Sequence, residues 1–90
     1  MKIVLTQTLP VSFMFAKKGD TLKIIRTFPR VGEYRDKIGT PTESYLAFKG
    51  KTKIGMIPKE IIATHGKECI KEFCKVEKID KKNNIIIVEI

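Results

Sequence analysis

The stretch SYLAFKGKTKIGMIPKEII, residues 44–62, decides the fold. Its first six residues alternate between the two sides of an extended chain, and Gly50 turns that strand into a second one over residues 52–57. Pro58 ends the second strand and starts a helix over residues 59–65, because a residue in the first helical turn needs no N–H partner. The stretch therefore predicts a β-hairpin that leads directly into a short helix.

Short runs of apolar and β-branched residues on both sides of this stretch predict further strands. They cover residues 2–7, 11–16, 21–28, 73–80 and 84–90. The run VSFMFA is included because Val11, Phe13 and Phe15 alternate with smaller or more flexible residues. Six or seven short strands favour a mostly β fold, a small six- to seven-stranded OB- or SH3-like barrel with one short helix near residues 59–65.

The length and composition limit what the chain can build. Its 90 residues predict a single domain over residues 1–90, and 42% of them are hydrophobic, which is ordinary for a globular chain. A domain of this size keeps a large fraction of its surface in contact with water. We therefore expect one core and a shallow binding face rather than a deep active-site cavity.

The charge balance indicates an anionic partner. Lys and Arg number 18 against 10 Asp and Glu, which gives a formal net charge of +8. A positive field around so small a body favours nucleic acid, an anionic membrane surface or an acidic protein. The alternative is a lysine-rich surface that only keeps the domain in solution, and the scarcity of arginine, present only at Arg26, Arg30 and Arg35, is compatible with it.

The cysteines and the first residues favour a reducing cytoplasm. Cys69 and Cys74 have the spacing of neither a disulfide framework nor a CxxC metal knuckle, so we expect free thiols. The start of the chain, MKIVLTQTLP, contains an apolar run that is too short for a signal-peptide core. No apolar segment of the chain approaches transmembrane length. The prediction is a cytoplasmic protein that has no membrane partner.

The longest irregular stretch, residues 29–42, holds most of the candidate binding residues. Long loops in compact domains often carry function. Tyr34 lies in a charged, glycine-flanked segment where its ring could stack on a base, and Arg30, Arg35 and Lys37 could contact phosphates. Two alternatives stay open: Tyr34 could fold back to plug the barrel end, and the charges could be solvated.

A second group of cations surrounds the predicted hairpin turn. Lys49 and Lys51 flank Gly50, and Lys53 continues on the same side of the chain. We expect the three lysines to extend the basic surface. We also expect the hairpin and the 29–42 stretch to lie at one end of the barrel.

Two segments together resemble a known family. TLKIIRTFP, residues 21–29, and the 44–62 stretch are similar in order and content to the HIRAN domain, a small barrel module of DNA-remodelling and repair helicases that is also found as a free-standing bacterial protein. Arg26 stands near the end of the first segment. Residues 54–58, IGMIP, match the family's closing segment Ile-Gly-Tyr-Ile-Pro, with Met56 in place of the aromatic residue.

The resemblance implies a ligand as well as a fold. HIRAN domains with the full motif grip the 3′ end of single-stranded DNA, and their loop keeps Tyr and Asp adjacent. In this chain Arg35 separates Tyr34 from Asp36, and the loop is longer and lacks the family's Asn. The resemblance thus implies that the chain binds a DNA end. Its loop matches the family's DNA-binding loop only in part.

The sequence indicates no catalytic set. His65 falls in the last predicted helical turn, where the helix dipole favours a cation. Asp36 with Glu33 or Glu43 could form the acidic pair of a nuclease, but loop acids beside basic residues more often balance charge. There is no Walker-type phosphate loop and no zinc-ligand set. We expect a protein that is not an enzyme and uses no cofactor and no metal.

The leading hypothesis is a non-catalytic nucleic-acid-binding module for single-stranded DNA or a DNA 3′ end. The alternative is a protein–protein interaction or scaffold domain that docks an acidic, larger partner protein. The predicted contacts come from the 21–29 segment, the 29–42 stretch and the hairpin turn, and they comprise Arg26, Arg30, Tyr34, Arg35, Asp36, Lys37, Lys49, Lys51 and Lys53.

Overall fold

The computed structural model describes residues 1–27 and 44–90, which form a six-stranded antiparallel sheet with two short helices. The strands are β1 (Lys2–Val4), β2 (Thr21–Thr27), β3 (Ser44–Lys49), β4 (Thr52–Met56), β5 (Phe73–Asp80) and β6 (Ile85–Glu89). The helices are α1 (Pro10–Phe15) and α2 (Lys59–His65), and a 3₁₀ turn spans Lys67–Cys69. The predicted mostly β fold is confirmed.

The strands follow the order β1-β6-β5-β2-β3-β4 across the sheet. The predicted hairpins are present as β3–β4 and β5–β6, and β2 lies between them. The outer strands meet at one bridge, where the N–H groups of Thr6 and Met56 each donate to the other residue's carbonyl, at 2.9 and 2.8 Å. The sheet is therefore curled but not closed. Among the described residues, the closure that a barrel requires is present only as this one bridge between the outer strands.

One side of the curled sheet forms the hydrophobic core. Alternate residues of each strand are buried there, for example Leu22 and Ile24 on β2 and Cys74 and Val76 on β5. Phe13 of α1 and Ile61 and Ile62 of α2 pack against them. The fully buried side chains include Ile3, Leu22, Ile54, Ile57, Val76, Ile86 and Val88.

The opposite side of β5, β2, β3 and β4 is the outer face of the sheet. Because side chains alternate along a strand, the neighbours of the buried residues point away from the core. Lys23 is exposed between the buried Leu22 and Ile24. The outer face therefore carries the polar and partly exposed apolar residues of the same strands.

The predicted strand over residues 11–16 is wrong, because residues 10–15 form α1. Pro10 stands in the first helical turn, where its fixed φ angle favours a helix. The Ser12 hydroxyl accepts a hydrogen bond from the Leu9 N–H at 3.0 Å and is buried as it does so. Local capping thus overrides the alternating pattern.

The predicted helix over residues 59–65 is confirmed with the same bounds. Pro58 precedes it, and Gly66 ends it with a φ of 79°, a left-handed value that suits glycine. The Gly66 N–H donates to the Ile62 carbonyl at 2.8 Å. The prediction of a single helix misses α1.

Gly55 lies where β4 approaches the segment after β1. A Cβ atom at this position would be 2.9 Å from the Leu5 Cβ and 3.1 Å from the Thr6 carbonyl oxygen. Both neighbours are fixed, Leu5 by the core and Thr6 by its bridge to Met56. The close approach of the two sheet edges therefore requires glycine here.

We expect Gly55→Ala to destabilise the fold by about 1–3 kcal/mol, the usual cost of forcing a methyl group into packed surroundings. Thermal unfolding followed by circular dichroism should show a fall in Tm of several degrees. Gly50→Asn is the matched control, since Gly50 has a φ of 60° that Asn tolerates and open space around its Cα. Equal Tm values for Gly55→Ala and the wild type would contradict the close approach.

Candidate functional site

The structure describes part of the predicted binding set. Arg26, Lys49, Lys51 and Lys53 belong to the described residues. The loop members lie outside them, in residues 28–43, and comprise Arg30, Tyr34, Arg35, Asp36 and Lys37. The site is therefore built from Arg26 and from what surrounds it.

Arg26 lines a groove of about 430 Å³ at one end of the sheet. Ile24 and Tyr45 contribute apolar surface from β2 and β3, and Ile70 contributes it from the segment before β5. The charged residues of the lining are Arg26, Lys67, Glu68, Lys71 and Glu72. The groove is open to solvent on one side and has the size of an ordinary small-ligand site.

Strand register positions the groove residues. Arg26 is directly opposite Tyr45 in the β2–β3 ladder. Because side chains alternate along a strand, both residues lie on the same side of the sheet as the core residues of β2 and β3. Arg26 is exposed because the core ends here, whereas Tyr45 is buried. The Ile24 N–H donates to the Glu72 carbonyl at 2.7 Å and holds the segment before β5 against β2.

The groove pairs an apolar floor with a mixed-charge rim. Three cations, Arg26, Lys67 and Lys71, outnumber the carboxylates of Glu68 and Glu72. The cations offer donors to a phosphate, and the carboxylates offer acceptors to a hydroxyl or amino group. Such a lining suits a small amphipathic group that carries an anionic end.

Sequence reasoning does not single out most of these residues. The groove includes residues 67–72, a segment whose structure the sequence leaves ambiguous. They meet Arg26 only because β5 pairs with β2 across about fifty intervening residues of chain, and no local pattern encodes that pairing.

Lys49 has a structural role that the sequence does not reveal. Its Nζ donates to the Phe15 carbonyl at 2.6 Å and forms an ion pair with Asp20 at 2.7 Å. Asp20 also accepts a hydrogen bond from the Lys17 N–H at 2.8 Å. Lys49 therefore ties the end of α1 and the turn before β2 to β3. A phosphate bound there would have to compete with the Asp20 carboxylate.

Lys51 and Lys53 occupy different surroundings. Lys51 is exposed in the β3–β4 turn, and the Lys53 Nζ donates to the Gln7 side-chain oxygen at 3.2 Å. The turn lies at the opposite end of β3 from Ser44 and Arg26, a distance of roughly 17 Å for a strand of this length. Arg26 and the hairpin turn therefore lie at opposite ends of the β2–β3 ladder. The expectation that the hairpin and the 29–42 stretch share one end of the barrel stays a prediction, because residues 28–43 lie outside the described ones.

In the described part of the chain, the remaining reactive side chains form no further centre. His65 is exposed at the end of α2, Cys69 is half-buried and Cys74 is buried. Burial raises the pKa of the Cys74 thiol to about 11. Within residues 1–27 and 44–90, no three His, Cys, Asp or Glu side chains gather in a way that could hold a metal ion. In the same residues, no helix has the length and apolar character needed to cross a membrane.

Comparisons with protein-family models, with curated proteins and with solved structures returned no match to this chain.

The Asp20–Lys49 pair should make stability depend on pH. The Lys49 hydrogen bond, followed by the Lys17 N–H, lowers the pKa of Asp20 in the folded protein below its ordinary value near 3.8. The contribution of the ionised Asp20 carboxylate to folding stability is therefore present above pH 4, and it is lost as the pH falls through the folded-state pKa of Asp20. We expect Asp20→Asn to lower the Tm at pH 7 and to lower it by less at pH 2.5.

Glu77→Gln is the control for this pH series, because Glu77 is a carboxylate in the β5 bulge that no described ion pair includes. Its Tm difference from the wild type should stay small at both pH values. An Asp20→Asn protein as stable as the wild type at pH 7 would rule out a stabilising role of the Asp20–Lys49 ion pair.

The two thiols should differ in reactivity. Thiolate is the nucleophile in alkylation, and Cys74 is both buried and held in its protonated form by a raised pKa. We expect iodoacetamide at pH 8 to modify Cys69 first and Cys74 only after unfolding, as measured by peptide mass spectrometry. Equal labelling rates in the native protein would contradict the burial of Cys74.

Proposed function

We propose that this protein is a non-catalytic nucleic-acid-binding module for single-stranded DNA, and that it receives a strand end in the groove. The observation that carries the proposal is the convergence of Arg26, Lys67 and Lys71 over an apolar floor in a chain of net charge +8. Phosphate contacts from such cations supply affinity and position the strand without reading its sequence.

The groove lining accounts for each part of a terminal nucleotide. The apolar surfaces of Ile24, Tyr45 and Ile70 suit a base or sugar face. The guanidinium of Arg26 and the ammonium of Lys71 suit the phosphate. The carboxylates of Glu68 and Glu72 suit a terminal hydroxyl, which is a hydrogen-bond donor that an internal phosphodiester lacks.

The resemblance to the HIRAN domain supports the same proposal. Arg26, which stands in the matched segment, is one of the groove residues. The segment IGMIP ends β4 and leads to α2, and Gly55 in it makes the close approach described above. In this proposal the loop residues Arg30, Tyr34, Arg35, Asp36 and Lys37 are further ligand contacts.

Fluorescence anisotropy with labelled single strands tests the proposal. At 50 mM salt we expect an oligonucleotide with a free 3′ hydroxyl to bind more tightly than one whose 3′ end carries a phosphate. Arg26→Ala combined with Lys71→Ala should weaken binding roughly tenfold or more, since hydrogen bonds to charged groups contribute about 1.5–3 kcal/mol each.

The control for this double variant is Lys81→Ala combined with Lys82→Ala, which removes two exposed cations from the β5–β6 turn. It should retain most of the affinity, and its salt dependence should change less. Absence of binding at low salt would sink the proposal. If the two double variants lose the same amount of affinity for the oligonucleotide, the contact lies outside the groove.

A second candidate function, docking of an acidic protein, is favoured by the surface of α1. Met14 is 73% exposed and Phe15 48% exposed, and Lys17 and Lys18 follow them. An apolar helix surface beside cations suits an acidic partner that has an apolar segment. If the protein binds no nucleic acid, this surface becomes the leading candidate.

A further inference from the structure

The outer face carries a row of aromatic and basic residues that the sequence does not bring together. In the β5–β2 ladder Phe73 is opposite Lys23, and in the β2–β3 ladder Lys23 is opposite Phe48. Lys53 of β4 is opposite Phe48 in the next ladder. We call Phe73, Lys23, Phe48 and Lys53 the aromatic row.

The row points away from the core. The pairs next to it in the two ladders are Leu22 with Cys74 and Ile24 with Ala47. All four of these residues are buried, so the row itself lies on the other side of the sheet. Phe73 is 52% exposed, and Phe48 is half-buried. Two phenylalanine rings are thus presented on one surface, and their strands are about 10 Å apart with a lysine between them.

The charge of this surface is positive. Lys23 is exposed and forms no ion pair with any residue in the described ranges, whereas the Lys53 ammonium donates to the neutral Gln7 side chain. The neighbouring outward positions of β2, β3 and β5 carry no carboxylate and comprise Thr21, Ile25, Leu46 and Lys75. An anionic ligand would therefore meet no opposing charge along the row.

We propose that the aromatic row is a second contact surface of this protein, a stacking platform for single-stranded nucleic acid. The proposal rests on the proposed function and adds to it a surface outside the groove. Bases stack on Phe73 and Phe48, while Lys23 and Lys53 contact the phosphates between them. Alternating rings and cations are the combination that binds single strands without sequence preference.

A strand has a short path from the groove to the row. Glu72 lines the groove, and Phe73 is the next residue of the chain, at the start of β5. Arg26 lies three residues beyond Lys23 on β2. A strand whose end is held in the groove therefore reaches Phe73 by passing around the end of β5.

The row favours nucleic acid over two other occupants. A second copy of the chain would bring Lys23 and Lys53 close to the same lysines, and like charges oppose such a contact. An acidic peptide would satisfy the lysines, but it would cover the two rings by stacking only where it places aromatic side chains over them, whereas every nucleotide carries a planar base. Stacking is therefore the feature that the test must detect.

Phe73→Trp supplies a direct signal, because the chain contains no tryptophan. Its indole keeps an aromatic ring in the row, so binding of a 12-nucleotide oligo(dT) should persist and should quench the tryptophan fluorescence. Phe15→Trp is the matched control, since Phe15 is 48% exposed but belongs to α1. Its fluorescence should change little on binding.

Phe73→Ala should weaken binding of the same oligonucleotide roughly 5- to 150-fold, the range expected for loss of one stacked base, while Phe15→Ala should not. Binding of a two-nucleotide strand, too short to leave the groove, should be equal in Phe73→Ala and the wild type. Circular dichroism establishes that each variant is folded before its affinity is compared.

The outcomes separate the two proposals. If Arg26→Ala with Lys71→Ala weakens binding but Phe73→Ala does not and Phe73→Trp is not quenched, the row is excluded and the groove stands. If the wild type binds no oligonucleotide, the proposed function fails. Competition by poly-glutamate that is as strong as that by oligo(dT), or a wild-type dimer that Phe73→Ala converts to a monomer, would overturn the stacking role in favour of a protein contact.

Discussion

The pairing of β2 with strands on both of its sides is the constraint on which the rest of the structure depends. β2 pairs with β3 in one ladder and with β5 in the other, so its register is fixed twice. Because side chains alternate along a strand, this register sends Leu22 and Ile24 into the core and Lys23 to the outer face. A slip by one residue would bury Lys23 and expose both core residues, which makes the register costly to change.

The same pairing produces both candidate contact surfaces. At the end of β2, where the core stops, Arg26 meets Tyr45 and the segment before β5, and together they form the groove. Three residues back along the strand, Lys23 lies between Phe73 and Phe48. The basic character of the chain is therefore divided between two sides of the sheet, and Lys49 takes no clear part in either because Asp20 holds it.

Local signals in the sequence predict a large part of the fold. Gly50 and the alternating residues around it give the β3–β4 hairpin, and Pro58 and Gly66 give the bounds of α2. Pro10 likewise favours the start of a helix, but the alternating apolar residues after it favour a strand. The hydrogen bond from the Leu9 N–H to the buried Ser12 hydroxyl stabilises the helix. This cap depends on the Ser12 side chain turning inward, which a pattern of hydrophobicity does not represent.

The candidate site is less accessible to sequence reasoning, because it depends on contacts between distant segments. The sequence predicts Arg26 as a contact, but most of its partners in the groove come from residues 67–72. Phe73 was predicted only as the first residue of a strand, and its position beside Lys23 follows from the β5–β2 register. Charge and composition thus predict the class of ligand, whereas the surface that would bind it emerges only from the pairing of strands.

An amide NMR titration of the ¹⁵N-labelled protein with oligo(dT) tests the central claim most directly. A strand that enters the groove and crosses the outer face should shift the amide signals of Arg26, Lys71, Lys23, Phe73 and Phe48 the most. The signals of α1 and of the β5–β6 turn should stay nearly unchanged. Shifts concentrated in α1 or in that turn, with the signals of β2 and β5 unmoved, would contradict the account.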